Sequence, residues 1–232
     1  MPFEKALAKA SKPMLSELLV GVVRPLPWSG KLRLLNTFIP HSGEREFEAF
    51  GCRFRLDLGE QDQRQLYVGG YEAGALRALG KLLPRGGCFV DAHADVGLLI
   101  ALAAERLGPA GQMVAAEART MSYLRLERMV RENHLNQVVL HHGPLGSRDE
   151  RPVRTLDALA EDHGLHRIDL LRIGPPDLSL LAGAARLLAQ RRILAIACDM
   201  GDSADPRILA QVSVLGFRHA RRAGTHQIFG VV

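Results

Sequence analysis

Short apolar runs alternate with amphipathic stretches along most of this chain. Cys88-Phe89-Val90-Asp91 reads as a buried strand, followed by a tight polar turn and an apolar helix through Ala103. Gln112 to Glu117 is a second apolar strand, and Met121 to Asn133 a helix with Leu124, Leu126, Met129 and Val130 as its apolar positions. The pattern repeats with a strand at Val138-Val139-Leu140, a helix capped by Thr155, a strand over Ile168 to Ile173 and a helix from Leu178 to Ala189. A strand from Ile193 to Cys198 and a helix from Pro206 to Leu215 follow, with closing strands at Phe217 and Ile228-Phe229. Strands alternating with helices predict an α/β fold, with a mostly parallel central sheet and helices on both faces.

The region before this is patterned differently. Phe47, Phe54, Leu56 and Leu58 around Gly51 predict a β-hairpin. Gln61 to Gly70 is polar and turns through Gly69-Gly70; Tyr71-Glu72 opens a helix running to Leu83. Leu15, Leu18, Leu19, Val22 and Val23 form one apolar helical face, ended by Pro25 and Pro27. Residues 1–45 are therefore expected to be a helical extension, and residues 46–232 the α/β domain. The extension's helix either packs on the domain or, with Lys5, Lys9, Lys12 and Arg24 nearby, touches a membrane surface or partner.

Composition narrows the function classes. Apolar residues make up 47% of the 232 and charged residues 24%, as in soluble globular proteins. No apolar run approaches the length of a membrane span, and Met1-Pro2-Phe3-Glu4-Lys5 does not open a signal peptide, so the expected location is cytoplasmic. Cys52, Cys88 and Cys198 lack metal-ligand spacing, so no metal is expected and the thiols read as buried and reduced. The net charge of +5 is carried mainly by arginine, densest at Arg191-Arg192 and Arg218 to Arg222. With aromatic residues at only 5%, the interleaved aromatic and basic pattern of nucleic-acid platforms is missing, and no nucleic-acid partner is expected.

The candidate site follows from two strand ends. In α/β sheets, ligands bind at the carboxyl ends of strands, and a carboxylate ending the second strand grips ribose hydroxyls. Asp91 and Glu117 hold those two places, while Gly97 at the helix start lets the backbone come close. This predicts a nucleoside-like cofactor. The G-x-G-x-x-G turn of dinucleotide enzymes is missing, which disfavours a nicotinamide cofactor.

The same stretch carries a family resemblance. Gly51-Cys52-Arg53-Phe54-Arg55-Leu56-Asp57-Leu58, Gly69-Gly70-Tyr71-Glu72, Phe89 to Gly97, Gly108-Pro109-Ala110-Gly111 through Glu117, Asn133-His134-Leu135-Asn136 and Thr155-Leu156-Asp157 occur in order. In this combination the chain resembles the FkbM-type S-adenosylmethionine-dependent methyltransferases from about Glu46 to the C-terminus. The resemblance implies a Rossmann-like methyltransferase fold and S-adenosylmethionine as cofactor. It also implies O-methylation of a sugar or other small hydroxylated metabolite, a small-molecule or glycan acceptor. Glu72, Asp91, His93, Asp95, Gly97 and Glu117 fall on its cofactor positions.

Several positions depart from the family pattern. His93 stands for a glycine and Asp95 for an asparagine. The family's D-L-L-K-I-D-V-E-G becomes Asp169-Leu170-Leu171-Arg172-Ile173-Gly174-Pro175-Pro176-Asp177, and the segment from His142 to Thr155 is short. An imidazole at position 93 brings bulk where backbone would approach ligand. By residue chemistry alone, Asp95 and Asp177 also read as helix N-caps, and Asp91 and Glu72 as carboxylates complementing helix dipoles. His141 and His142 are neighbours on one strand, so at most one faces the site. No catalytic base is identified. The competing expectation is a catalytically degenerate methyltransferase fold that serves as a binding or scaffold partner.

Overall fold

The computed structural model describes residues 37–69, 73–174, 179–201 and 206–231. The N-terminal apolar helical face, Tyr71, Glu72, Pro175, Pro176 and Asp177 lie outside the described residues. The chain divides into two compact units, one comprising residues up to 47 with 54–72, the other residues 48–53 with 73–232.

In the first unit lie most of strands β1 (Glu44–Ala49) and β2 (Cys52–Asp57), paired as the expected hairpin, and helix α1 (Gln61–Tyr67). Phe47 and Phe54 pack ring to ring, with centroids 5.8 Å apart. The polar stretch after the hairpin is helix as far as Tyr67, with a turn at Val68 and Gly69. Gln63, Leu66 and Tyr67 are its buried positions, at helical spacing, and the Asp57 amide donates to Gln63 Oε1 at 2.8 Å.

The second unit is built on a seven-stranded sheet. Its strands are β3 (Cys88–Asp91), β4 (Gln112–Glu117), β5 (Val138–His142), β6 (Leu170–Ile173), β7 (Ala195–Asp199), β8 (Phe217–Ala223) and β9 (His226–Val231). They lie in the order β5-β4-β3-β6-β7-β9-β8. All neighbours from β5 through β7 are parallel; β9 runs antiparallel to β7 and to β8. Helix α2 (Ala73–Gly80) precedes β3, and α3 (Leu98–Leu107) and α4 (Thr120–Glu132) connect β3 to β4 and β4 to β5. Helices α5 (Leu156–Asp162), α6 (Ser179–Ala182), α7 (Ala185–Ala189) and α8 (Pro206–Val214) serve the other half of the sheet. The chain leaves β3 in one direction and returns past it in the other. Right-handed crossovers therefore place α3 and α4 on one face and α5 to α8 on the opposite one.

Side chains follow from this by alternation. Cys88, Val90, Val114, Ala116, Leu171, Ile173, Ile196, Cys198 and Phe229 form one buried cluster with Leu156, Leu159, Leu187 and Ile208. The intervening residues, among them Asp91, Glu117, Arg172 and Asp199, point to the α3–α4 face. The expected helix from Leu178 to Ala189 is two short ones. Gly183 breaks it: its carbonyl accepts the Asp157 amide at 2.9 Å, and its Cα lies against the Gly146 backbone and Thr155.

Candidate functional site

Sheet order reverses at β3, where the chain leaves toward β4 and returns to β6, and such a switch point opens a crevice at the carboxyl edge. Three carboxylates stand along that edge on one face: Asp91 ends β3, Glu117 ends β4 and Asp199 ends β7. Two of the three were legible in the sequence. Asp199 was not, because no motif marks the end of the fifth parallel strand.

Each carboxylate already has partners. Asp91 is 1% exposed; its Oδ1 accepts the His93 amide at 3.0 Å and Arg172 Nη1 at 3.2 Å. Arg172, opposite Asp91 in the sheet register, also donates to the His93 carbonyl and, through Nη2, to Asp199 Oδ2 at 3.0 Å. One guanidinium thus holds two acids and the first turn after β3. Asp91 Oδ2 is buried with no hydrogen-bond partner among the described residues. Burial alone would raise the Asp199 carboxyl, but His226, the Thr225 hydroxyl and the Arg172 guanidinium together hold it below the usual carboxylate range. His226 pairs with Asp199 across β7 and β9, and its Nε2 lies 3.9 Å from Asp199 Oδ2. Burial, reinforced by Arg172, lowers the pKa of that imidazole.

Glu117 staples two loops together. Its Oε2 accepts the Asp95 amide at 2.9 Å and its Oε1 the Arg119 amide at 2.8 Å, with Arg119 Nε at 3.3 Å. Asp95 is not the helix cap, for Gly97 holds that place. With φ at +47°, Asp95 instead turns its carboxylate to Arg119 Nη2 at 2.8 Å and Ser122 Oγ at 3.0 Å. Burial raises its pKa, and those two donors pull it back.

The remaining expected positions resolve separately. Gly97 has φ +91°, and a Cβ there would meet Leu126 Cδ1 at 2.8 Å and Met129 Cε still closer. Its small size lets α3 start tight against α4. His93 is exposed, with its ring against Gly174. Beside it is a recess of about 50 Å3 lined by Ala92, His93, Ala118, Pro144, Leu145, Ile173 and Leu180. His142 stacks on Tyr123 of α4 with centroids 4.4 Å apart, while His141 faces away with a buried Nε2 that finds no partner among the described residues. Burial lowers the His141 pKa. Among the described residues, no group of three or more His, Cys, Asp or Glu side chains is placed to hold a metal ion, and no helix is long and apolar enough to cross a membrane.

Neither a protein-family model nor a curated protein matches the sequence. Solved structures match by shape. A Streptococcus agalactiae protein of the NADB-Rossmann superfamily superimposes with a TM-score of 0.50 at 13% identity, over 69% of each chain. TYW2 from M. jannaschii in complex with AdoMet gives 0.46 at 15% identity, over 84% of this chain and 89% of that one. Trm5b from Pyrococcus abyssi gives 0.49 at 18% identity, over 83% of this chain and 56% of that one. The sheet and the Streptococcus agalactiae match establish the Rossmann-like fold expected from the alternation of strands and helices.

Proposed function

We propose that this protein binds S-adenosylmethionine at the carboxyl ends of β3 and β4 and methylates a sugar or other small hydroxylated metabolite. The observation that carries the reading is the pairing of Asp91 and Glu117 at the ends of adjacent parallel strands, beside the point where the sheet order reverses. The residues fit such a ligand. A carboxylate oxygen can accept two hydrogen bonds, and Glu117 Oε2 has one donor, leaving capacity for a ribose hydroxyl. Asp91 Oδ2, buried without a donor, suits the ligand's ammonium. When bound, S-adenosylmethionine supplies the electrophilic methyl group. Asp199, a quarter exposed, is the carboxylate available to orient an acceptor hydroxyl, and Arg172 fixes its position.

A second reading, a degenerate fold that binds a partner without transferring methyl groups, draws on two features. Arg172 already neutralises Asp91, and the His93 ring occupies space that a glycine would leave open. Titration calorimetry with S-adenosylmethionine and S-adenosylhomocysteine tests the proposal. Micromolar binding that is lost in Glu117→Ala is the expected result. No heat with either ligand at millimolar concentration overturns it in favour of the second reading.

A further inference from the structure

The C-terminal end of α2 collects positive charge from three elements. Arg221 of β8 donates through Nη2 to the Ala78 carbonyl at 3.0 Å, and Arg106 of α3 through Nε to the Gly80 carbonyl at 3.1 Å. Arg77 and Lys81 belong to the same helix end and are exposed. Terminal carbonyls of a helix attract cations, which accounts for two of these contacts. It does not account for four cations gathered there with no carboxylate paired to any of them among the described residues.

A fifth cation reaches this face through an irregularity in the sheet. Arg218 pairs with Gly230 and Arg221 with Ile228, the register slipping between His219 and Arg221. In a regular strand, residues three apart point to opposite faces. The bulge puts Arg218 and Arg221 on the same one, the re-aiming that bulges perform. β8 is also the edge strand, and Arg218 to Arg222 are all exposed. Edge charges deter strand pairing, but that role does not require two arginines on one face.

Beside the cluster is a groove of about 460 Å3 lined by Phe50, Leu76, Arg77, Gly80, Lys81, Leu102, Glu105 and Arg106. Its floor is apolar and its rim carries three cations and one acid. Scarce aromatic residues argue against a nucleic-acid platform in the sequence, yet the structure places one of them, Phe50, on this floor.

We propose that Arg77, Lys81, Arg106, Arg218 and Arg221 form a docking surface for the phosphate backbone of single-stranded nucleic acid, whose bases enter the Phe50–Leu76 groove. A cationic rim over an aromatic floor is the arrangement that tracks a single strand. A membrane surface is disfavoured by the same geometry, because an interfacial site projects apolar side chains beyond its charges. Here Phe50 and Leu76 are half-buried, and Leu102 is fully buried, in a recess. Arg106, near the end of α3, lies toward the amino ends of the parallel strands, the edge opposite the candidate site. The inference therefore stands or falls independently of the methyltransferase reading.

The test is fluorescence anisotropy of a labelled oligouridylate RNA with the full chain at two salt concentrations. With about four phosphate contacts, affinity should fall roughly 50-fold between about 50 and 200 mM salt. The double variant Arg77→Ala/Lys81→Ala should bind several-fold more weakly and lose about a third to a half of the salt slope. Those two side chains are exposed and form no described hydrogen bond, so the fold should survive, as circular dichroism would verify. Arg218→Glu is the second variant and should weaken binding in the same direction. Binding unaffected by both variants, or vesicles rich in phosphatidylserine bound more tightly than the RNA, overturns the proposal.

Discussion

The His93 imidazole lies flat against Gly174. A Cβ built on Gly174 would fall 2.6 Å from His93 Nδ1 and 2.8 Å from Cδ2. Positions 93 and 174 therefore constrain one another directly. The imidazole at the end of β3 occupies the space that a side chain at the end of β6 would need.

Gly174→Ala should push the ring off its seat and destabilise the protein by about 1–3 kcal/mol. The same substitution in a His93→Gly background should be nearly neutral. A double-mutant cycle by urea unfolding measures the difference; a coupling energy near zero would show that the two positions do not constrain one another.

Arg172 is the next point of dependence. Its guanidinium is shared between Asp91 and Asp199, and both it and Asp91 are buried. Arg172→Met should lower stability by about 3–5 kcal/mol, because an unpaired buried carboxylate remains. Arg172→Lys keeps the charge but cannot reach both acids in a plane, so its loss should be smaller. Equal losses in chemical denaturation would mean that packing, not charge, is what Arg172 provides.

Glu117 predicts a local effect. Its carboxylate accepts the amides of Asp95 and Arg119, one from each loop at the carboxyl edge. Glu117→Ala leaves both without their acceptor, at about 1–3 kcal/mol each where burial persists. Hydrogen exchange at Asp95 and Arg119 should accelerate while the amides of β7 and β9 keep their protection. Uniform acceleration would place the effect in global stability instead.

The pH dependence has a definite sign. Burial lowers the folded-state pKa of His226 and of His141 below the ordinary value of 6.5. Below that value the unfolded chain binds protons that the folded one resists, so stability falls as pH drops through it. Asp199, with its pKa lowered, adds a further loss only below the ordinary carboxylate value of 3.8. Thermal unfolding between about pH 7 and 5 should show a falling midpoint, with a shallower fall in His226→Gln. An unchanged slope in that variant would assign the dependence to His141 and other groups.

How much of this was legible depended on whether a residue's partner was local. The Asp91 and Glu117 positions could be read because each closes an apolar run. Thr155 could be read as a cap, and its Oγ1 does accept the Ala158 amide at 3.2 Å. Arg172 was visible only as a replacement, since its partners lie in two other strands. Helix α1 escaped notice because Gln63, one of its buried positions, is polar; only the Asp57 amide explains why it is tolerated there. Gly183 gave no warning that it would split a helix, for the backbone it abuts comes from a loop far earlier in the chain.

The placement of β9 bears on how the sheet is completed. β8 precedes β9 in sequence but reaches the sheet only through it, since β9 lies between β7 and β8. Until β9 docks, β8 has no strand to join and the edge of β7 stays open. Removing β9 would not trim a margin: it would strand β8, uncover β7, and take away His226 beside Asp199. The strand that joins β8 to this sheet is thus also the one that finishes the far end of its row of carboxylates.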